Sequence, residues 1–166
     1  MAEIRLTLNG EAATARLGEL LARLLLPRLK TSSRALPVYL EGDLGVGKTT
    51  LARGLITAAG FRGVVRSPTY TLVEAYPLPE GRICHFDLYR LADPGELELM
   101  GARDYFAAGA LCLIEWPERA RGFLPPPAAA VSFSLGEQSR GAVIKSQELT
   151  GEELARISSE FHEVVY

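Results

Sequence analysis

The sequence predicts an α/β fold of three layers, with a central, mostly parallel sheet that has antiparallel additions and helices on both faces. Three observations predict it. Short apolar or alternating runs, bounded by turn residues, recur at 4–8, 38–40, 82–89, 110–114 and 130–135. Helical stretches stand between several of these runs, one of them with a continuous leucine stripe. A glycine-rich loop at 42–49 joins one such run directly to a helix.

Taken in order, Ile4, Leu6 and Leu8 alternate with Arg5 and Thr7 as a half-buried strand does, ending at the turn pair Asn9-Gly10. Leu17, Leu20, Leu21, Leu24 and Leu25 then build one helical stripe, and Pro27 begins its end. Pro37 opens the run Val38-Tyr39-Leu40, which meets the glycine loop; a helix follows over 48–59 with Gly60 as its stop. Runs at 70–76 and 82–89, joined through Pro77, Pro79 and Gly81, read as an antiparallel hairpin appended to the parallel sheet. In the second run His85, Asp87 and Tyr89 share one face and Cys84, Phe86 and Leu88 the other. Asp93-Pro94 starts a broken helical stretch toward Phe106, and 110–114 is a short buried strand ended by Glu115. Strands at 130–135 and 142–146 flank a turn near Gly136, and Thr150 caps a last helix through Ser158.

With 166 residues, 48% hydrophobic and 23% charged, the composition suits a single domain over 1–166 and leaves no room for two. The net charge of −2 gives no broad attraction to nucleic-acid phosphates, so any RNA is expected to be held by a partner. Cys84 and Cys112 each sit in an apolar run and read as buried, reduced thiols. The stretch 17–29 is broken by Glu19, Arg23, Pro27 and Arg28, so it cannot span a bilayer, and the first eight residues lack the layout of a secretory signal. A soluble, cytoplasmic protein is expected.

Gly42-Asp43-Leu44-Gly45-Val46-Gly47-Lys48-Thr49 fits the pattern of a glycine, four residues, then glycine, lysine and a hydroxyl residue. Glycines let backbone N–H groups approach phosphate oxygens, and the helix that follows turns its positive end toward them. Lys48 adds a mobile charge for the outer phosphates, and Thr49 offers magnesium a hard oxygen donor. The fold class thereby becomes P-loop NTPase-like and the expected activity a P-loop ATPase, with ATP and Mg2+ as cofactors.

Such a loop needs an acid from a neighbouring strand, and Glu115 either is that acid, standing where it is usually found, or is a surface carboxylate at the strand end. Trp116 either covers the nucleotide or packs. Asp87 either serves magnesium or the attacking water, or pairs with a base such as Arg90; His85 reads as a hydrogen-bonded structural histidine. Ser67-Pro68-Thr69-Tyr70-Thr71 either holds a switch hydroxyl for the terminal phosphate or is an ordinary turn. No Asn-Lys-x-Asp or Thr-Lys-x-Asp segment appears, against a GTPase, and Ser134-Leu135-Gly136-Glu137-Gln138 only faintly echoes a transporter signature. A stand-alone small-molecule kinase is the alternative, though the chain shows no arginine-rich lid. A third reading is a nucleotide-gated binding module in which hydrolysis times release.

Taken together, residues 42–50, Ser67-Pro68-Thr69-Tyr70-Thr71-Leu72, His85-Phe86-Asp87-Leu88-Tyr89-Arg90-Leu91 and Ile114-Glu115-Trp116-Pro117-Glu118 resemble the bacterial TsaE (YjeE) family, over about residues 11–140. That resemblance implies the ATPase component of tRNA threonylcarbamoyladenosine synthesis, slow alone and stimulated by partners. It implies work with the TsaD and TsaB subunits on tRNAs reading codons that begin with A. By the same likeness Thr49 and Glu115 hold magnesium, and residues 43–50, including Thr50, hold the phosphates. Lys48, Asp87 and Glu115 carry the hydrolysis, Thr69 belongs to a switch, and Glu11, Trp116, Glu118 and Arg140 line the nucleotide site.

Overall fold

The computed structural model describes residues 1–68 and 70–161. Its strands are β1 (Ala2–Leu8), β2 (Leu36–Glu41), β3 (Val73–Leu78), β4 (Gly81–Asp87), β5 (Ala110–Glu115), β6 (Ala129–Leu135) and β7 (Arg140–Ser146). Its α-helices are α1 (Gly10–Leu25), α2 (Lys48–Ala58), α3 (Glu96–Leu99) and α4 (Gly151–Ser159). The strands form one sheet in the order β1-β7-β6-β2-β5-β4-β3.

The sheet is mixed rather than mostly parallel. The junctions β6–β2, β2–β5 and β5–β4 are parallel, whereas β1–β7, β7–β6 and β4–β3 are antiparallel. The parallel centre is buried on both sides, and all six residues of β5 are buried, as its unbroken apolar run Ala110-Leu111-Cys112-Leu113-Ile114 requires. The edge strand β1 alternates toward its end, with Leu6 and Leu8 inward and Arg5 and Thr7 exposed.

The hairpin departs from the sequence expectation in two ways. Residues 70–72 form a turn, because Leu72 takes a left-handed backbone (φ 63°), so β3 begins at Val73 and runs on through Pro77 to Leu78. Proline is tolerated there because β3 is the sheet edge. The second strand, β4, is not an appendage, since it pairs in parallel with β5 from Arg82↔Ala110 to Asp87↔Glu115. Cys84 and Cys112 face each other in that register, both buried and free.

The two faces are covered unequally. On one, α1, α2 and α4 close over Val38, Leu40, Leu111, Leu113, Val131 and Ile144. On the other, Cys84, Phe86, Cys112 and Ile114 lie under short pieces only, namely α3, the 3-10 turn Ala102–Asp104 and the turn Pro117–Ala120. Glycines at 95, 101 and 109 and Pro94 keep that second cover from forming a long helix.

Helices α1 and α2 meet at two glycines. A Cβ on Gly18 would lie 2.2 Å from the Leu51 carbonyl oxygen, and one on Gly54 would lie 2.3 Å from that of Ala15. This close crossing sets the angle at which α2 presents its first turn. The last helix starts with a capping box: the Thr150 hydroxyl accepts from the Glu153 N–H, and the Glu153 carboxylate accepts from the Thr150 N–H. Arg28 donates to both oxygens of the same carboxylate at 2.8 Å and ties α4 to the 3-10 turn Leu26–Lys30. Among the described residues no helix is long and apolar enough to cross a membrane.

Candidate functional site

The loop between β2 and α2 lies at the carboxyl edge of the parallel strands. Gly42 and Gly47 have φ of 138° and 119°, values that admit glycine alone without strain, and each is also sterically confined. A Cβ on Gly42 would come within 3.0 Å of the Phe133 carbonyl oxygen, and one on Gly47 within 2.9 Å of the Arg140 guanidinium. Val46 between them is 2% exposed and anchors the loop in the core. No side chain caps the start of α2, so the first N–H groups of that helix remain available to an anion.

Lys48 opens α2. Its ammonium donates to the Gly42 carbonyl and, at 3.3 Å, to that of Asp43, and stands 3.5 Å from the Trp116 ring centroid. Burial pushes its pKa below the usual lysine value, an effect that Glu115, Glu118, Asp87 and Asp43 oppose through their charge. A bound anion would act in the same sense as those carboxylates. On the cleft wall, one Arg140 guanidinium nitrogen is buried without a hydrogen-bond partner among the described residues. An unsatisfied cationic donor beside the loop is a second feature that an anion would satisfy.

Thr49 follows and donates its hydroxyl to Oε1 of Glu115 at 2.9 Å. Glu115, at the end of β5, is only 2% exposed, so it is not a surface carboxylate. Its Oε2 lies 2.6 Å from Nε2 of His85, which is fully buried. Asp87 stands opposite Glu115 in the parallel register. Its carboxylate accepts from the Ser67 hydroxyl at 3.3 Å and from the Tyr89 N–H at 3.1 Å, and no ion pair with Arg90 forms. Arg90 instead lies over the Tyr70 ring.

Trp116 has a left-handed backbone (φ 59°), rare for so large a residue. Its ring lies tilted against Tyr89 at 4.9 Å between centroids, the Arg119 guanidinium lies over the Tyr89 ring, and the Trp116 ring covers Lys48.

The resulting cleft of about 270 Å³ gathers Glu11, Leu44, Gly45, Gly47, Lys48, Thr49, Thr50, Asp87, Glu115, Trp116 and Arg140. Three expected residues stand apart from its lining. Asp43 contributes its carbonyl to Lys48, Val46 is turned into the core, and Glu118 lines a neighbouring pocket with Tyr39, Glu41 and Arg121. Thr69 lies outside the described residues. His85 is buried and hydrogen-bonded, as the sequence predicts, and what sequence reasoning missed is that its partner is Glu115. The signal was the face that His85 shares with Asp87, but that the strand ending at Glu115 lies beside β4 was not readable.

Among the described residues no cluster of three or more His, Cys, Asp and Glu could enclose a metal ion. The donor pair Thr49 and Glu115 still fits magnesium, a hard cation that keeps several waters and takes its remaining oxygens from phosphate.

Fold and site together define an α/β protein with a glycine-rich, anion-competent loop opening a helix at the carboxyl edge of its sheet. A family model described as threonylcarbamoyl adenosine biosynthesis protein TsaE matches residues 8–143, and the chain belongs to the TsaE family. It is 47% identical over 144 residues to the tRNA threonylcarbamoyladenosine biosynthesis protein TsaE of Haemophilus influenzae, covering 87% of this chain and 90% of that one. Identity to the protein of the same name from Bacillus subtilis is 35% over 122 residues, covering 70% and 76%. The crystal structure of Bacillus subtilis YdiB superposes with a TM-score of 0.66 at 20% identity, over 96% of this chain and 97% of that one, a likeness of fold.

Proposed function

We propose that this chain binds and hydrolyses ATP with Mg2+ as the ATPase subunit of the assembly that makes threonylcarbamoyladenosine in tRNAs reading codons that begin with A. Its working partners are the TsaD and TsaB subunits. The observation that carries the reading is the Thr49–Glu115 hydrogen bond of 2.9 Å at the uncapped start of α2, directly beyond the glycine loop. The relatives' names place them in tRNA threonylcarbamoyladenosine biosynthesis, which supports the pathway.

In this reading the N–H groups of the loop and of the first turn of α2 hold the phosphates. Lys48 leaves the carbonyls of Gly42 and Asp43 and turns its ammonium to the outer phosphates. Thr49 and Glu115 hold magnesium, which when bound offsets phosphate charge. Asp87 accepts a proton from, and orients, the attacking water, with Ser67 and the Tyr89 N–H fixing its carboxylate. Glu11, Thr50 and Arg140 wall the cleft and Trp116 covers it. Contact with tRNA is indirect, in keeping with a net charge of −2.

Two experiments test the proposal. Lys48→Ala should abolish ATP binding in a calorimeter, and unchanged affinity would end the assignment. An unmodified tRNA transcript should be modified by the partner subunits only when this chain is present, with phosphate release rising on mixing; partners that neither bind it nor alter its turnover would refute the assembly role.

A further inference from the structure

His85 is a buried polar residue that packing alone does not explain. It lies on β4 with Ile83 on the face covered by α1 and α2, and none of its surface is exposed. One ring nitrogen, Nε2, meets Glu115 Oε2 at 2.6 Å; the other, Nδ1, is buried with no partner among the described residues. A leucine would fill the same space without leaving a buried nitrogen unsatisfied, so what the imidazole adds is its bond to Glu115. That bond consumes one carboxylate oxygen. The other, Oε1, is the one that accepts from Thr49, so the plane of the carboxylate is held at both ends.

We propose that His85 is a positioning residue for the metal: by binding Oε2 it leaves Oε1 as the single oxygen of Glu115 turned to Thr49 and the divalent ion. The inference rests on the nucleotide and magnesium reading given above. Ligand carboxylates are oriented in this way by a second layer of hydrogen bonds, whose loss lowers metal affinity about 10- to 100-fold.

The test measures Mn2+ affinity by electron paramagnetic resonance with ADP bound, so that no turnover is involved, and ADP affinity in EDTA by calorimetry. His85→Leu removes the donor, His85→Asn supplies an amide too short to reach Oε2, and His85→Gln supplies one at the reach of Nε2. Mn2+ binding should weaken about 10- to 100-fold in the leucine and asparagine variants and stay within about threefold of wild type in the glutamine variant. ADP affinity without metal should be the same in all four proteins, because the loop and Lys48 are untouched.

Wild-type Mn2+ affinity in His85→Leu or His85→Asn would overturn the proposal. So would equal losses in the glutamine and asparagine variants, or a parallel loss of metal-free ADP binding, since either marks a merely structural role. If the leucine variant melts early, the comparison of glutamine with asparagine decides alone. Failure of the wild-type protein to bind ADP at all is a separate result: it removes the nucleotide reading before any variant is made.

Discussion

Gly18→Ala probes the contact that aims α2 at the site. The added Cβ would stand 2.2 Å from the Leu51 carbonyl oxygen and 2.8 Å from the Leu55 nitrogen, where ordinary contact begins at 3.4 Å. Both neighbours are backbone and cannot rotate away, so α1 and α2 must part by about 1 Å. Overpacking of this kind costs roughly 1–3 kcal/mol, and a backbone clash belongs at the upper end. Alanine in a helix returns about 1 kcal/mol relative to glycine. The net loss is about 2 kcal/mol, which in a chain of this size lowers Tm by roughly 4–8 °C. Urea unfolding followed by circular dichroism should show a lower midpoint at unchanged slope. The control is Gly151→Ala in the first turn of α4, where nothing lies within 4 Å of the new Cβ. There the same exchange should be neutral or stabilise by about 0.4–1 kcal/mol. If Gly18→Ala melts at or above wild type, close packing of the two helices is not what the glycine provides. Because Lys48 and Thr49 stand in the first turn of α2, just before Leu51, the displaced helix should also bind nucleotide more weakly.

Two further outcomes follow from the geometry. At Trp116, whose φ is 59°, an L-residue bears about 1–2 kcal/mol of strain that glycine escapes; Trp116→Gly should therefore unfold at higher urea than Trp116→Ala, and the reverse order would refute the backbone argument. At Glu153 the hydrogen bonds from Arg28, the leading cause, hold the carboxyl below its ordinary pKa of 4.5, so its contribution is complete above that pH and is lost as pH falls through the lower folded value. Glu153→Gln keeps the capping box and removes the ion pair, so it should cost about 0.2–1 kcal/mol at pH 7 and nothing in strong acid; a cost independent of pH would exclude the pair as its source.

What the sequence disclosed depended on how local each signal was. The glycine loop and the helix that Lys48 and Thr49 open were legible because closely spaced glycines ahead of a helical stretch mark such a turn locally. Glu115 was legible as the polar end of an apolar run. The link from Glu115 to His85 was not, because it depends on β4 and β5 being neighbours in parallel register, and no local pattern states that. The sheet's antiparallel half was under-read for the same reason: β1 pairs with β7, its partner at the far end of the chain. Glu118 follows Trp116 by only two residues, yet the left-handed bend at Trp116 and the turn Pro117–Ala120 carry it to the pocket of Tyr39 and Glu41. Leu72 likewise shortened β3 through a backbone conformation that its residue type disfavours.

The pairing of Leu8 with Arg140 has a consequence for how the protein matures. The glycine loop and its helix are contiguous in sequence and can form early, whereas Glu11 comes to the cleft on α1, which packs against α2, and Arg140 on β7, which pairs with both β6 and β1. Contacts of such long separation are slow to form because the intervening chain must first be ordered. During ribosomal synthesis the loop thus precedes Arg140, and a nascent chain that has not yet released β7 has an incomplete cleft.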